Sequence, residues 1–471
     1  MIPTISPNAS AVVEKFDQLY LWSVSLIAAL GGLLFGYDWV VIGGAKPFYE
    51  AYFQLATPAQ QGWAMSCALI GCLLGAGASG VLSDHFGRKR MLILAGLAFT
   101  ASSLGTGLAG SVEAFVAWRI AGGVAIGLAS SLSPVYIAEV APAHLRGKLV
   151  SVNQLTIVIG LVLAQGVNWL IARPLPAQVT QSQILHSWDG QLGWRWMFGV
   201  TAIPATVFLV AMFCVPESPR WLATRKKPGE ALRILARVGG SSYGDRVLQE
   251  IDQTLIGGDT RIGLGEFLAP RIFKPTLLGI ALAVLQQWCG INVIFNYAQE
   301  VFAAAGYSLS SMLSNIVVTG LVMLVFTFIA IHTVDRKGRR SLMLTGCAGL
   351  AALYTCLGGA YSVHGHGMVM LLLVVAAIAV YAMTLAPITW VLLSEIFPTR
   401  VRGTAMAIAT TSLWAACFVL TYTFPLLNRN LGPAKTFWIY AAICTAGFLL
   451  VSKCVPETKG KTLEQIETLW R

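Results

Sequence analysis

The chain has 471 residues, of which 56% are hydrophobic and only 11% charged, and a formal net charge of +11. An ordinary soluble domain carries about 25% charged residues, so composition excludes a soluble enzyme and makes this an integral membrane protein. In that setting the excess of cations bears on topology; no nucleic-acid partner is expected.

The first twenty residues are polar, carry Glu14, Lys15 and Asp17, and precede a long apolar window with no evident cleavage site. They read as a cytoplasmic segment, residues 1–20, and not as a signal peptide. Uncharged windows then run from Gln18 to Tyr37, Ala51 to Ser83, Met91 to Val112, Ile120 to Ala138, Leu149 to Ala172 and Trp196 to Pro216. A second set runs from Pro275 to Gln299, Val301 to Val334, Ser341 to Ser394, Gly403 to Asn428 and Thr436 to Ser452. A spanning helix needs about 20 apolar residues. The window from Ser341 is long enough for two, with a turn at His364, Gly365, His366 and Gly367, so the expectation is twelve helices, six on each side of a polar segment. The halves are placed at residues 21–216 and 275–455, the linker at 217–274 and a cytoplasmic tail at 456–471. In the linker, Gly229 to Val238 and Arg246 to Leu255 have apolar residues at helical spacing, which predicts short amphipathic helices beneath the bundle.

Two charges sit well inside the apolar stretches, Asp38 and Arg119, and they are of opposite sign. A charge at mid-bilayer costs about 2.5–3.5 kcal/mol even on the lenient insertion scale, so such residues mark ion or substrate pathways. Burial favours a protonated carboxyl and a neighbouring guanidinium favours the ionised form. Caught between the two, Asp38 can act as a proton switch. The alternative is a static ion pair that fixes the first helix to the fourth. The six histidines lie in or beside loops, as His85, His144, His186 and His332 do, and are not rivals for this role.

Arg88, Lys89 and Arg90 share one short loop, Arg146 and Lys148 a second, Arg336, Lys337, Arg339 and Arg340 a third, Arg400 and Arg402 a fourth. All four fall on one side if the helices alternate, and cationic short loops stay cytoplasmic, which places both termini inside. Nine cysteines include no CxxC pair and lie in or beside apolar windows, as Cys67, Cys72, Cys289 and Cys417 do. They read as packing residues, with no metal site, disulfide or cofactor expected.

The chain also repeats itself. Asp84, Gly87, Arg88 and Lys89 are echoed by Asp335, Gly338, Arg339 and Arg340; Glu139, Arg146 and Gly147 by Glu395, Arg402 and Gly403; Pro216 and Glu217 by Pro456 and Glu457. With Arg220 these form a candidate cytoplasmic gate, in which acid and arginine on neighbouring helices pair in one state and part in the other. The arginines could equally serve topology alone.

GGLLFGYD at Gly31 to Asp38, DHFGRKR at Asp84 to Arg90, and SPVYIAEVAP with RGK across Ser133 to Lys148 resemble the sugar porter branch of the major facilitator superfamily. So do PESPRWL at Pro216 to Leu222, QQWCGIN at Gln286 to Asn292, TWVLLSEIFP at Thr389 to Pro398 and PETKG at Pro456 to Gly460. The motifs cover essentially the whole chain and are most similar to bacterial proton-coupled pentose and hexose symporters. The resemblance implies an all-α membrane fold of two six-helix halves joined by cytoplasmic helices, in the plasma or inner membrane, working as a monomer on a sugar and protons. It implies proton coupling by Asp38 with Arg119, and a sugar site made by Gln154, Gln286, Gln287, Asn292 and Trp390, walled by Phe35 and Trp414. Gly290 and Pro387 are expected bending points. An amide both donates and accepts, which suits hydroxyls, although Gln286 and Gln287 could instead bond helix to helix. Met323, Leu413 and Cys417 stand where the family pattern has polar residues and make the second half of the pocket less polar, and Ala386 stands where a glycine usually precedes Pro387. A uniporter, a carrier of a polyol or another small polar solute, or a non-transporting nutrient sensor are the competing readings. The helices hold no nucleophile with a base beside it, so an enzyme is not expected.

Overall fold

In the computed structural model the described residues are 16–176, 179–256, 269–304, 306–363, 367–398, 401–459 and 465. The expected turn at His364–Gly367 therefore falls outside them save for Gly367, as does Arg400. The side chains of Asp335 and Arg402 are not described either, so their part in the gate is left at the backbone.

Among the described residues every regular element is helical. The first half comprises α1 Gln18–Tyr52, α2 Pro58–Phe86, α3 Arg88–Leu108, α4 Val112–Val140 and α5 Ala143–Ile171. Its sixth span is preceded by the short α6 Gln181–His186 and assembled from a π-turn, Asp189–Gly193, followed by α7 Trp194–Gly199 and α8 Ala202–Cys214. The linker forms α9 Pro219–Thr224, α10 Pro228–Gly239 and α11 Ser241–Ile256. In the second half α12 Pro270–Trp288, α13 Ile291–Asn296 and α14 Ala298–Ala304 together make one broken span. They are followed by α15 Leu309–Lys337, α16 Arg339–Ser362, α17 Met368–Met383, α18 Leu385–Ile396 and α19 Arg402–Cys454. Eleven of the described helices or helix runs are long and apolar enough to cross a membrane. The last of these is two, since α19 breaks at Gly432, whose φ of 79° no helix tolerates, and the spans among the described residues number twelve. Large apolar side chains such as Leu170, Val207, Phe213 and Leu372 stand on the outside, as a surface facing lipid requires.

Close packing of α1 on α5 orients Asp38. A Cβ on Gly36 would run into the carbonyl of Ile157, and one on Gly160 into that of Leu33. Small residues let backbones approach where lipid offers no hydrophobic drive to association. The Thr156 hydroxyl then donates to the Ala29 carbonyl at 2.7 Å, fixing the register. Across the molecule the halves meet chiefly through α2 against α19 and α5 against α15. In the repeat these are equivalent pairs, the second span on the eleventh and the fifth on the eighth.

Two spans of the second half are broken. Gly290, at φ 87°, separates α12 from α13, as its sequence position suggested. The other break falls at Thr384, between α17 and α18, and not at Pro387 itself. A proline clashes with the carbonyl four residues upstream and lacks an N–H, so the ladder fails at Met383 and Thr384 while Pro387 sits in the first turn of the new helix.

Candidate functional site

Asp38 on α1 and Arg119 on α4 are 5% and 4% exposed, and one guanidinium nitrogen, Nη1, donates to both carboxylate oxygens, at 2.7 and 2.9 Å. The Arg119 guanidinium also lies 5.3 Å from the centre of the Phe198 ring, whose face attracts a cation. Its Nε is buried without an acceptor. The pair borders a cavity of about 20 Å³ shared with Trp39, Ile42, Met65 and Asn296. That is room for about one water and far too little for a sugar. The ion pair is thus almost fully buried, where Coulombic attraction is strong and solvation weak.

Phe35, Trp39 and Trp414 form an aromatic triangle from both halves, with centroids 5.7–5.9 Å apart. Beside the Gly290 break, three amides bond in a chain. Asn292 donates to Gln287, Gln287 to Gln286 at 2.6 Å, and Gln286 to the Tyr381 hydroxyl at 3.0 Å. Asn292 also approaches the Cys417 thiol at 3.9 Å. All three amides are at least nine-tenths buried. In this arrangement each uses a neighbour where a hydroxylated ligand could substitute. Gln154 is half-buried on α5, and Trp390 is 38% exposed on α18, so neither joins the chain. The structure brings together Gln286, Gln287 and Asn292, and separately Phe35 and Trp414. Met323, Leu413 and Cys417 are all buried.

Two more charged side chains, Lys46 and Asp189, are buried without standing out in the sequence. Lys46, 3% exposed on α1, pairs with Glu50 at 2.9 Å on its own helix and with Glu300 on α14 of the other half. It lies 5.5 Å over the Tyr297 ring. Tyr297 donates to the Thr421 carbonyl at 2.6 Å, and Gly43 abuts the backbone of Phe295. The Lys46–Glu50 spacing of one helical turn was the available signal. Glu300 could not be matched to it without the fold. Two further polar side chains meet across the halves, Gln165 on α5 and Thr319 on α15, at 3.5 Å.

At the opposite end, around the cationic loops, each half carries the same latch. Glu217 accepts from the backbone N–H of Arg88 and of Lys89, both at 3.0 Å, while Glu457 accepts from Arg339 at 3.0 Å and Arg340 at 3.2 Å. Each carboxylate thereby sits at the N-terminus of a long helix, where free N–H groups and the dipole favour an anion. Gly87 and Gly338, at φ 95° and 85°, form the one-residue links ahead of these termini. The arginine side chains reach the acid of the neighbouring span, Arg88 to Glu139 at 3.1 Å and Arg339 to Glu395 at 3.4 Å. Asp84 joins Arg88 at 2.9 Å. Both latches lie within a half, not between the halves. Arg146 bonds the Ala138 carbonyl at 3.1 Å, and Arg220 is exposed on α9. Burial works against the charge on Glu457, but the N–H groups of Lys459, Arg339 and Arg340 outweigh it and hold the carboxyl below its ordinary range.

The sequence profile of the family described as "Sugar (and other) transporter" matches residues 24–470. The chain is 39% identical over 487 residues to the D-xylose-proton symporter of Escherichia coli K12, covering 97% of each. It is 37% identical over 467 residues to the arabinose-proton symporter of Bacillus subtilis 168, covering 99% of this chain and 98% of that one. Its fold is similar to the partially occluded, inward-open structure of the E. coli xylose transporter XylE, with a TM-score of 0.83 and 38% identity over 94% of this chain and all of that one.

Proposed function

Because the chain belongs to the sugar transporter family, we propose that it is a proton-coupled symporter importing a monosaccharide, a pentose or a hexose, by alternating access. The single observation that carries the coupling is the buried, mutually bonded pair Asp38 and Arg119. A proton arriving from outside adds to the Asp38 carboxylate, giving a neutral acid and freeing Arg119, which keeps its own charge throughout. The loaded carrier then turns over, the proton leaves to the cytoplasm, and the ion pair reforms. No bond in the sugar is made or broken.

The sugar-binding groups in this reading are Gln154, Gln286, Gln287, Asn292 and Trp390, with Phe35 and Trp414 as walls. Residues 21–216 and 275–455 rock against each other over the linker at 217–274. Both tails and the latches of Glu217 and Glu457 lie on the cytoplasmic side of a plasma or inner membrane, since cations stay inside. The Lys46 cluster then closes the external face. The transporting unit is the monomer. One proton moving down 100 mV supplies about 2.3 kcal/mol, and about 1.4 kcal/mol is tenfold in an equilibrium. One proton per sugar therefore supports about fiftyfold accumulation. Buried Met323, Leu413 and Cys417 on the second-half side favour a less hydroxylated ligand over a fully hydroxylated hexose.

A panel of labelled pentoses, hexoses and polyols in proteoliposomes, with and without an imposed pH gradient, tests the reading. Uphill uptake of one sugar that collapses with the gradient is expected. Gradient-independent equilibration would make the protein a uniporter, and uptake of polyols alone would remove the sugar assignment.

A further inference from the structure

Asn296 ends α13, next to the break in the seventh span, and its side chain is 5% exposed. It helps to line the small cavity that contains Asp38 and Arg119, and so brings the second half of the molecule to a charge pair built wholly from the first. Its Oδ1 is buried and accepts no hydrogen bond. It is therefore a free acceptor on the wall of the Asp38 cavity, available to a group there that gains a donor.

Asp38 is such a group. While ionised it only accepts, and Arg119 satisfies both oxygens. Once protonated it carries an O–H that must donate, and Arg119, which has no acceptor atom, cannot receive it. The other titratable groups facing Asp38 are the Cys67 and Cys72 thiols of α2 and the Tyr37 hydroxyl of its own helix. The nearest further full charge on α1 is Lys46, two helical turns along and about 12 Å away at 1.5 Å per residue, with Glu50 and Glu300 beside it. From the second half, Asn296 lines the same cavity, and its neighbour Tyr297 lies under Lys46.

We propose that Asn296 is the positioning residue whose Oδ1 accepts the O–H hydrogen bond of neutral Asp38, so that the broken seventh span senses whether the coupling carboxyl is protonated. The inference rests on the proton-coupling reading of Asp38. Gly43, one turn beyond Asp38, abuts the carbonyls of Phe295 and Asn296 at 2.8 and 3.2 Å from where a Cβ would lie, so a shift at Asn296 passes directly to the contact between the halves. A hydrogen bond to the neutral form favours that form. Removing the acceptor therefore weakens proton binding at Asp38.

The test titrates the purified full chain by infrared difference spectroscopy, with protons as the only probe, following the carboxylic C=O band that Asp38→Asn abolishes. Asn296→Leu is expected to move the midpoint of that band to lower pH by about one unit, a tenfold loss of proton affinity. Asn296→Gln and Asn296→Ser, which keep an acceptor, are expected to stay near the wild-type midpoint. A band that titrates at the same pH in all three variants overturns the role of Asn296 and leaves the coupling reading standing. If the wild type shows no band sensitive to Asp38→Asn, the coupling reading itself falls. Should Asn296→Leu fail to fold, Asn296→Ala removes the same acceptor and decides the matter.

Discussion

Asp38 and Arg119 are each tolerable in the bilayer only because the other is there. Removing one partner of a buried ion pair leaves an uncompensated charge and typically costs about 3–5 kcal/mol, whereas replacing both is often nearly neutral. Arg119→Met is therefore expected to lower the unfolding midpoint in detergent sharply, and Asp38→Asn added to it to recover most of the loss. A double variant as unstable as the single one would show that the pair does not act as a unit. The two residues were legible in the sequence because a charge inside an apolar run is conspicuous. Tyr381 and Asn296 were not, because an uncharged polar side chain on a spanning helix is commonplace and only the fold shows what it faces. Trp39 was masked by its place next to Asp38, since adjacent positions on a helix point about 100° apart. The structure puts it in the aromatic triangle with Phe35 and Trp414.

Helix ends and helix breaks are where the elements carry function. The break at Gly290 was legible from glycine alone, while the one at Thr384 lay displaced from Pro387 by the reach of a proline's clash. The paired latches were legible as a repeat, but Glu217 and Glu457 hold the N-termini of α3 and α16, while the arginine side chains go to Glu139 and Glu395. The Glu457 carboxyl titrates below its ordinary value. Its contribution is therefore fully present above the unfolded carboxylate value and is lost as pH falls through the folded one. The protection of the Arg339 and Arg340 amides from hydrogen exchange, relative to their intrinsic rates, is accordingly expected to fall under acid below the ordinary carboxylate range, and Glu457→Gln to abolish that pH dependence. Unchanged protection through the acid range would contradict the latch. At the other end, Lys46→Met strands the Glu50 and Glu300 carboxylates and loosens α14 from α1. Faster hydrogen exchange across α13 and α14, with uptake reduced about tenfold or more, is expected; wild-type exchange there would mean that the cluster does not hold the halves together.

At the scale of the molecule, two similar halves touch through two equivalent helix pairs, α2 with α19 and α5 with α15, with charge clusters at either end and a small cavity beside Asp38 between. Such a body has two discrete packings available, and a ligand or proton can shift it only by binding one of them better. The twelve-span count followed from apolar windows, and the six-plus-six division from matched punctuation. How the halves close on each other did not, since it depends on which faces meet. A single variant goes most directly to the claim that Asp38 links proton to sugar. Asp38→Asn is reconstituted in proteoliposomes and scored for accumulation of the imported sugar under an inward proton gradient and for equilibrium exchange without one. Accumulation above the external concentration is expected to disappear while exchange persists. Accumulation at the wild-type level would contradict the claim.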